Sequence, residues 1–240
     1  MNDMQGFLIE DGILLEYTGR DVNLTIPKGV THIDSYAFEN FTNLMSITIP
    51  DSVVSIGDWA FSGCVGLTEI TIPESVTSIG KGAFSGCTGL TCITIPKSIT
   101  RIRDWSFEGC FGLVNINLPN GITEIGKGAF QNCQRLEKIL LPDGITGIGD
   151  MAFRYCVRMA NITIPDKVMH VGNQAFYDCE SLTDITFLNR STTLGDEVFV
   201  CSETEEDFAR ALAAKRIIYA PADSLAEKYA KEYCIRFTVK

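Results

Sequence analysis

Apolar and polar positions along this chain repeat with a period of 23 residues. Ile47-Thr48-Ile49, Ile70-Thr71-Ile72, Ile93-Thr94-Ile95 and Ile162-Thr163-Ile164 each alternate apolar and polar. That alternation predicts short half-buried strands. A proline follows each one, in the series Pro27, Pro50, Pro73, Pro96, Pro119, Pro142 and Pro165. Proline has no N–H to give a ladder, so it ends the strand. An irregular leg comes next, as in Val76-x-x-Ile79-Gly80. Its three-residue apolar spacing predicts a bend or short 3₁₀ turn, and its glycine a corner with positive φ. An inward Ala-Phe pair then recurs, with phenylalanine at 38, 61, 84, 107, 130, 153, 176 and 199. Cys-x-x-Leu leads back to the next strand, with cysteine at 64, 87, 110, 133, 156 and 179.

One such unit cannot bury its own apolar side, whereas stacked units can. The pattern therefore predicts a solenoid with nearest-neighbour contacts. Parallel strands lie ~4.8 Å apart, so eight turns span roughly 35–40 Å. The same spacing suits a stack of phenylalanine rings. Residues 1–20 predict a capping β-hairpin, Phe7-Leu8-Ile9 and Ile13-Leu14-Leu15-Glu16-Tyr17 around an Asp11-Gly12 turn. Residues 21–200 form the repeats, and 201–240 a helix-and-strand cap. Within that cap, 203–215 and 223–233 predict helices, the second with Asp223 or Ser224 as N-cap. Residues 217–219 and 235–239 predict strands, and the whole chain is one domain.

The unit L-x-x-I-x-I-P-x-x-V-x-x-I-G-x-x-A-F-x-x-C resembles the BspA-like bacterial leucine-rich repeat, also called the Treponema pallidum type. Asp11-Gly12-Ile13-Leu14 with Tyr17 resembles that family's N-terminal cap. Ser224-x-Ala226-Glu227-x-Tyr229-Ala230 before Ile235-x-Phe237 is similar to its C-terminal ending. The resemblance implies a right-handed leucine-rich-repeat solenoid with its strands on the concave side. It also implies a surface or secreted protein of the kind associated with adhesion and protein binding, and it brings no catalytic residues.

The formal net charge of −10 argues against a nucleic-acid partner, whose phosphates need a basic footprint. Residues 201–240 carry seven acids and seven bases, so the excess lies on the repeats and the hairpin. No apolar run reaches the ~18–20 residues of a membrane span, so membrane insertion is not expected. The start Met1-Asn2-Asp3-Met4 has no basic and apolar leader. If Met1 is the native start the chain stays cytoplasmic; an upstream signal would make it secreted or cell-surface.

Candidate chemistry is sparse. The six periodic cysteines include no Cys-x-x-Cys pair and have no histidine partners, so they read as reduced core residues rather than metal ligands. Disulfides between neighbouring turns remain compatible with the spacing. Cys92 lies on the outward strand side and is the most reactive candidate thiol. His32 and His170 share a column six turns apart, roughly 29 Å, too far to act together. Gly121-x-x-x-x-Gly126-Lys127 is followed by Gly128 instead of the Ser or Thr of a phosphate loop.

No cofactor or metal is expected, and the chain reads as a non-enzymatic recognition scaffold. Two surfaces are open. The outward strand positions run from Asn23 and Thr25 to Asp184 and Thr186. Within them Thr48, Glu69, Thr71, Thr94, Asn115, Asn117, Lys138, Thr163 and Asp184 are candidate contacts for a protein partner. Alternatively Tyr36, Trp59 and Trp105, which share a column just before Ala-Phe or Ser-Phe, form an aromatic patch for a host protein or a glycan.

Overall fold

The computed structural model describes residues 6–200, 213 and 215–240. It is the expected parallel solenoid, with each turn of chain bonded to the next along three legs. The first leg carries the alternating segments. Asn23–Thr25, Ser46–Thr48, Glu69–Thr71 and Cys92–Thr94 form a four-stranded parallel block. Asn115–Ile116 and Lys138–Ile139 form a two-stranded block, joined to the first by the bridge Thr94↔Asn117. Asn161–Ile164, Asp184–Phe187, Ile217–Ala220 and Arg236–Val239 complete this first sheet. Register advances by 23 residues between repeat strands, as in Asn23↔Ser46 and Asn115↔Lys138, and departs from it in the cap, where Asp184 is opposite Ile217.

The second leg corrects the sequence reading. It is not a 3₁₀ turn; it carries two-residue strands such as Ser55–Ile56, Ser78–Ile79 and Glu124–Ile125, which build a second parallel sheet. Its glycines are also misread as corners. Gly57, Gly80, Gly126, Gly149, Gly172 and Gly195 all lack positive φ. They are required because two backbones nearly touch. A Cβ on Gly80 would lie 2.4 Å from the Asp58 nitrogen, and one on Gly172 2.4 Å from that of Asp150. The close approach lets each glycine N–H reach the preceding turn, as Gly80 does to the Ile56 carbonyl at 2.9 Å.

Arg103 stands in this glycine column. The second sheet divides at that place: one block ends with Ser78–Ile79 and the next begins with Arg101–Ile102. The split coincides with this side chain and is local: Gly82 bonds the Asp104 carbonyl at 2.9 Å just beyond it, and Asp34, also in the column, keeps its bond to Leu14 at 2.9 Å.

The third leg has no strands but is fully laddered. Its chain turns left-handed at positions four residues apart, as at Trp59 and Gly63. Positive φ recurs in the column Tyr36, Trp59, Gly82, Trp105, Gly128, Met151, Gln174 and Glu197. In that conformation the N–H points along the stack, so Trp59 bonds to the Lys81 carbonyl and Trp105 to that of Lys127, both at 2.8 Å. Each bulky residue there bears about 1–2 kcal/mol of left-handed strain, set against its inter-turn bond.

Between the legs lies one core. The phenylalanine column is a stack of near-parallel rings, from 5.0 Å between Phe38 and Phe61 to 5.7 Å between Phe84 and Phe107. Each buried ring contributes on the order of 1.5–3 kcal/mol. The cysteine column runs beside it. Every one of its thiols is fully buried and donates to a phenylalanine carbonyl in the preceding turn, as Cys110 does to Phe84 at 3.1 Å.

The ends are sealed by different means. The antiparallel hairpin Phe7–Glu10 and Ile13–Tyr17 extends the second sheet, with positive φ at Asp11 and Gly12 in its turn. Its Tyr17 ring covers the exposed end of the stack, 5.9 Å from Phe38. At the far end Tyr229 meets Phe199 edge-on at 5.8 Å. Tyr229 belongs to the helix Leu225–Glu232, whose N-cap is Ser224, with its Oγ accepting from the Glu227 N–H. The helix expected over 203–215 lies outside the described residues apart from Ala213 and Lys215. Arg216, just past the helix expected over 203–215, is buried. Its guanidinium donates to the carbonyls of Leu182, Cys179 and Phe199, which the stack leaves at its last turn.

Hydrogen exchange tests the Arg103 junction. The amide of Arg103 should exchange faster than those of Gly80 and Gly126, which bond to Ile56 and Ile102. Equal protection at all three positions would contradict the split.

Candidate functional site

The first sheet presents two ranks of outward side chains, because strand residues alternate between core and solvent. Thr48, Glu69, Thr71, Thr94, Asn115, Asn117, Lys138, Thr163 and Asp184 are all exposed, as the pattern predicts. One rank is nearly uniform: Thr25, Thr48, Thr71, Thr94, Thr163 and Thr186 share it with Asn117 and Leu140. The register Thr25↔Thr48, Thr48↔Thr71 and Thr71↔Thr94 lines these residues up turn by turn.

Leu140, absent from the nine candidates, is 66% exposed. No other large apolar side chain among the described residues is so open. Beside it lies a groove of about 390 Å³ lined by Cys92, Asn115, Asn117, Lys138 and Leu140. The only signal for it in the sequence is a leucine at a position where the repeat places threonine in six of eight turns. Lys138 has no acidic partner among the described residues, whereas Arg158 pairs with Glu137 at 3.3 Å and Arg101 with Glu124 at 3.4 Å.

The aromatic column is arranged differently. Tyr36 is 53% exposed, but Trp59 and Trp105 are half-buried and stack on each other at 6.3 Å. Each indole lies where the next turn has a glycine. A Cβ on Gly82 would meet Trp59 Cε3 at 2.3 Å, and one on Gly128 would meet Trp105 Cδ1 at 2.7 Å. The tryptophans therefore fill slots left by Gly82 and Gly128, and their ring faces are largely taken up by the protein itself.

The thiols divide sharply by burial. Burial pushes Cys64 up to about 12 and holds Cys87, Cys110, Cys133 and Cys156 well above the ordinary thiol range. All six column cysteines are free rather than bridged; Cys92 and Cys234 are free and exposed. His32 and His170 are exposed and each bonds a threonine hydroxyl, Thr31 at 2.8 Å and Thr193 at 2.9 Å. Among the described residues no group of three or more His, Cys, Asp or Glu side chains is placed to hold a metal ion.

Parallel strands at a 23-residue register, a phenylalanine stack and an outward polar rank define a leucine-rich-repeat solenoid. The chain matches the BspA type leucine-rich repeat region in 6 copies over residues 16–137 and 123–209, and it belongs to that family. No curated protein matches it. Among solved structures it is similar to a leucine-rich cell surface protein of Faecalibacterium prausnitzii, with 34% identity and a TM-score of 0.67 over 75% of this chain and 52% of that one. A leucine-rich repeat protein of Eubacterium ventriosum gives 27% identity and a TM-score of 0.66 over 76% and 52%. The leucine-rich repeat protein of T. pallidum gives 27% and 0.59 over 85% and 89%. This chain thus spans about half the length of the Faecalibacterium and Eubacterium proteins.

Two measurements check the thiol assignments. Alkylation of the native protein, mapped by mass spectrometry, should modify Cys92 and Cys234 and spare the six column thiols; labelling of Cys110 at a comparable rate would contradict the burial. The second is a pH series. In the unfolded chain a thiol ionises near ~8.5, while the folded chain keeps Cys64, Cys87, Cys110, Cys133 and Cys156 protonated. The unfolded state therefore loses protons first, and stability falls as pH rises above ~8.5. The urea midpoint should hold between about pH 7 and pH 8 and drop steeply by about pH 10. A midpoint that stays level across that range would overturn the assignment.

Proposed function

We propose that this chain is a non-enzymatic recognition scaffold that binds a protein partner through its first-sheet face, the concave side in this class of solenoid. The observation that carries the reading is Leu140, 66% exposed at the edge of a groove in an otherwise polar rank. A single exposed apolar side chain is ordinary on a folded surface; this one departs from a threonine rank, and a partner that covers it gains the burial of its apolar area. Solenoids offer such extended faces because successive turns add outward side chains in register. The family and the similarity to a leucine-rich cell surface protein support a bacterial surface location. No described helix is long and apolar enough to cross a membrane.

Glycan binding through Tyr36, Trp59 and Trp105 draws less support. Sugar stacking needs an open ring face, and the two indoles face each other and fill glycine slots.

A photo-cross-linking amino acid at position 140 tests the proposal. Placed there or at Thr163, it should trap the same protein from the cell surfaces the bacterium meets. Placed at Gly147, on the second sheet, it should not. Equal trapping from both faces, or trapping from Gly147 alone, would contradict the reading.

A further inference from the structure

The repeat supplies its own control for what the fold requires. The outward rank is threonine in six of its eight positions, and it departs from threonine only at Asn117 and Leu140. These lie in consecutive turns, both side chains are exposed, and threonine is the better strand former at such a position. Asn115–Ile116 and Lys138–Ile139 pair with each other, and the bridge Thr94↔Asn117 joins them to the preceding strand. The groove of about 390 Å³ is at this block, one of several along the face; another of about 440 Å³ lies against Thr48 and Thr71.

The four outward side chains of the block form a small array. Asn115 is directly opposite Lys138. Lys138 and Leu140 are two residues apart on one strand, roughly 6.6 Å. That distance is also the spacing of residues i and i+2 on the same side of an extended peptide. Asn115 and Asn117 on the neighbouring strand each offer an amide donor and acceptor, the complement of a peptide group. A folded partner has most of its peptide groups paired internally, whereas an extended segment leaves them free. Lys138, unpaired among the described residues, calls for a carboxylate, and Leu140 for an aliphatic side chain.

We propose that the groove at Asn115, Asn117, Lys138 and Leu140 takes an extended peptide segment in which an acidic residue and an aliphatic residue stand two positions apart. The segment lies along the Lys138 strand. Its carboxylate meets the lysine, its aliphatic side chain covers Leu140, and its backbone bonds to the two asparagines. This rests on the reading that the first-sheet face is the binding surface.

Panning a phage-displayed library of linear peptides on the full chain tests it. Cys92 lines the groove and Cys234 does not, so alkylation of Cys92 against Cys234 reports where a synthetic selected peptide sits. Selected sequences should place Asp or Glu two residues from Leu, Ile or Val, and should slow Cys92 alkylation several-fold while leaving Cys234 unchanged. Lys138→Glu should weaken binding several-fold, and a peptide with Lys in place of its acid should recover it. Leu140→Asp should abolish binding, with circular dichroism confirming that both variants fold. Selected peptides without the acidic member, or binding indifferent to Lys138→Glu, would overturn the proposal. If no peptide is enriched while the cross-linker at position 140 still traps a folded protein, the peptide inference falls and the face stands. If selected peptides bind without protecting Cys92 and are trapped from Gly147, the face itself is wrong.

Discussion

The spacing between successive turns is the constraint on which this structure depends. Parallel ladders on three legs set it at ~4.8 Å, and each core column answers to it. Phenylalanine rings stack along it at 5.0–5.7 Å, slightly offset, within the range aromatic pairs prefer. Cysteine fits because a small apolar side chain with a weak donor can reach the carbonyl of the turn before. Glycine is imposed where two backbones come too close for any Cβ. The second sheet opens at Arg103, a side chain in the glycine column, while the phenylalanine stack runs on through Phe107 and Phe130. One repeat further along the first sheet narrows to the bridge Thr94↔Asn117.

Much of this was legible in the sequence because it is periodic. The strands, the inward phenylalanines, the buried cysteines, the capping hairpin and the final helix all follow from spacing and turn chemistry. The second sheet was hidden because a two-residue strand such as Ser78–Ile79 is too short to show alternation. The left-handed column was hidden because Trp59, Trp105 and Met151 are not residues that advertise positive φ; only Gly82 and Gly128 in the same column hint at it. Arg216 was hidden because a basic residue at the end of an acidic helix reads as a surface charge. Its role is set by carbonyls of Cys179, Leu182 and Phe199, far away in sequence.

The candidate site divides along the same line. The outward rank was legible, since alternation alone sends Thr48, Thr71, Thr94 and Thr163 to solvent. Which part of the rank matters was not, because the uniform threonines drew as much notice as the exceptions. The proposed reading puts the emphasis on the exposed positions that break the pattern, Asn117 and Leu140. Tyr36, Trp59 and Trp105 show the converse, since what looks like an aromatic patch in sequence is, for the tryptophans, packing against glycine.

The central claim is that inward columns hold the fold while Asn117 and Leu140 depart from the repeat for recognition. Chemical denaturation of two variants tests it most directly. Asn117→Thr with Leu140→Thr restores the repeat pattern, and its unfolding midpoint should equal or exceed that of the parent. Phe107→Ala removes one ring from the buried stack and should lower stability by roughly 3–5 kcal/mol. If the threonine double variant loses as much as Phe107→Ala, the two exposed residues are structural and the account is contradicted.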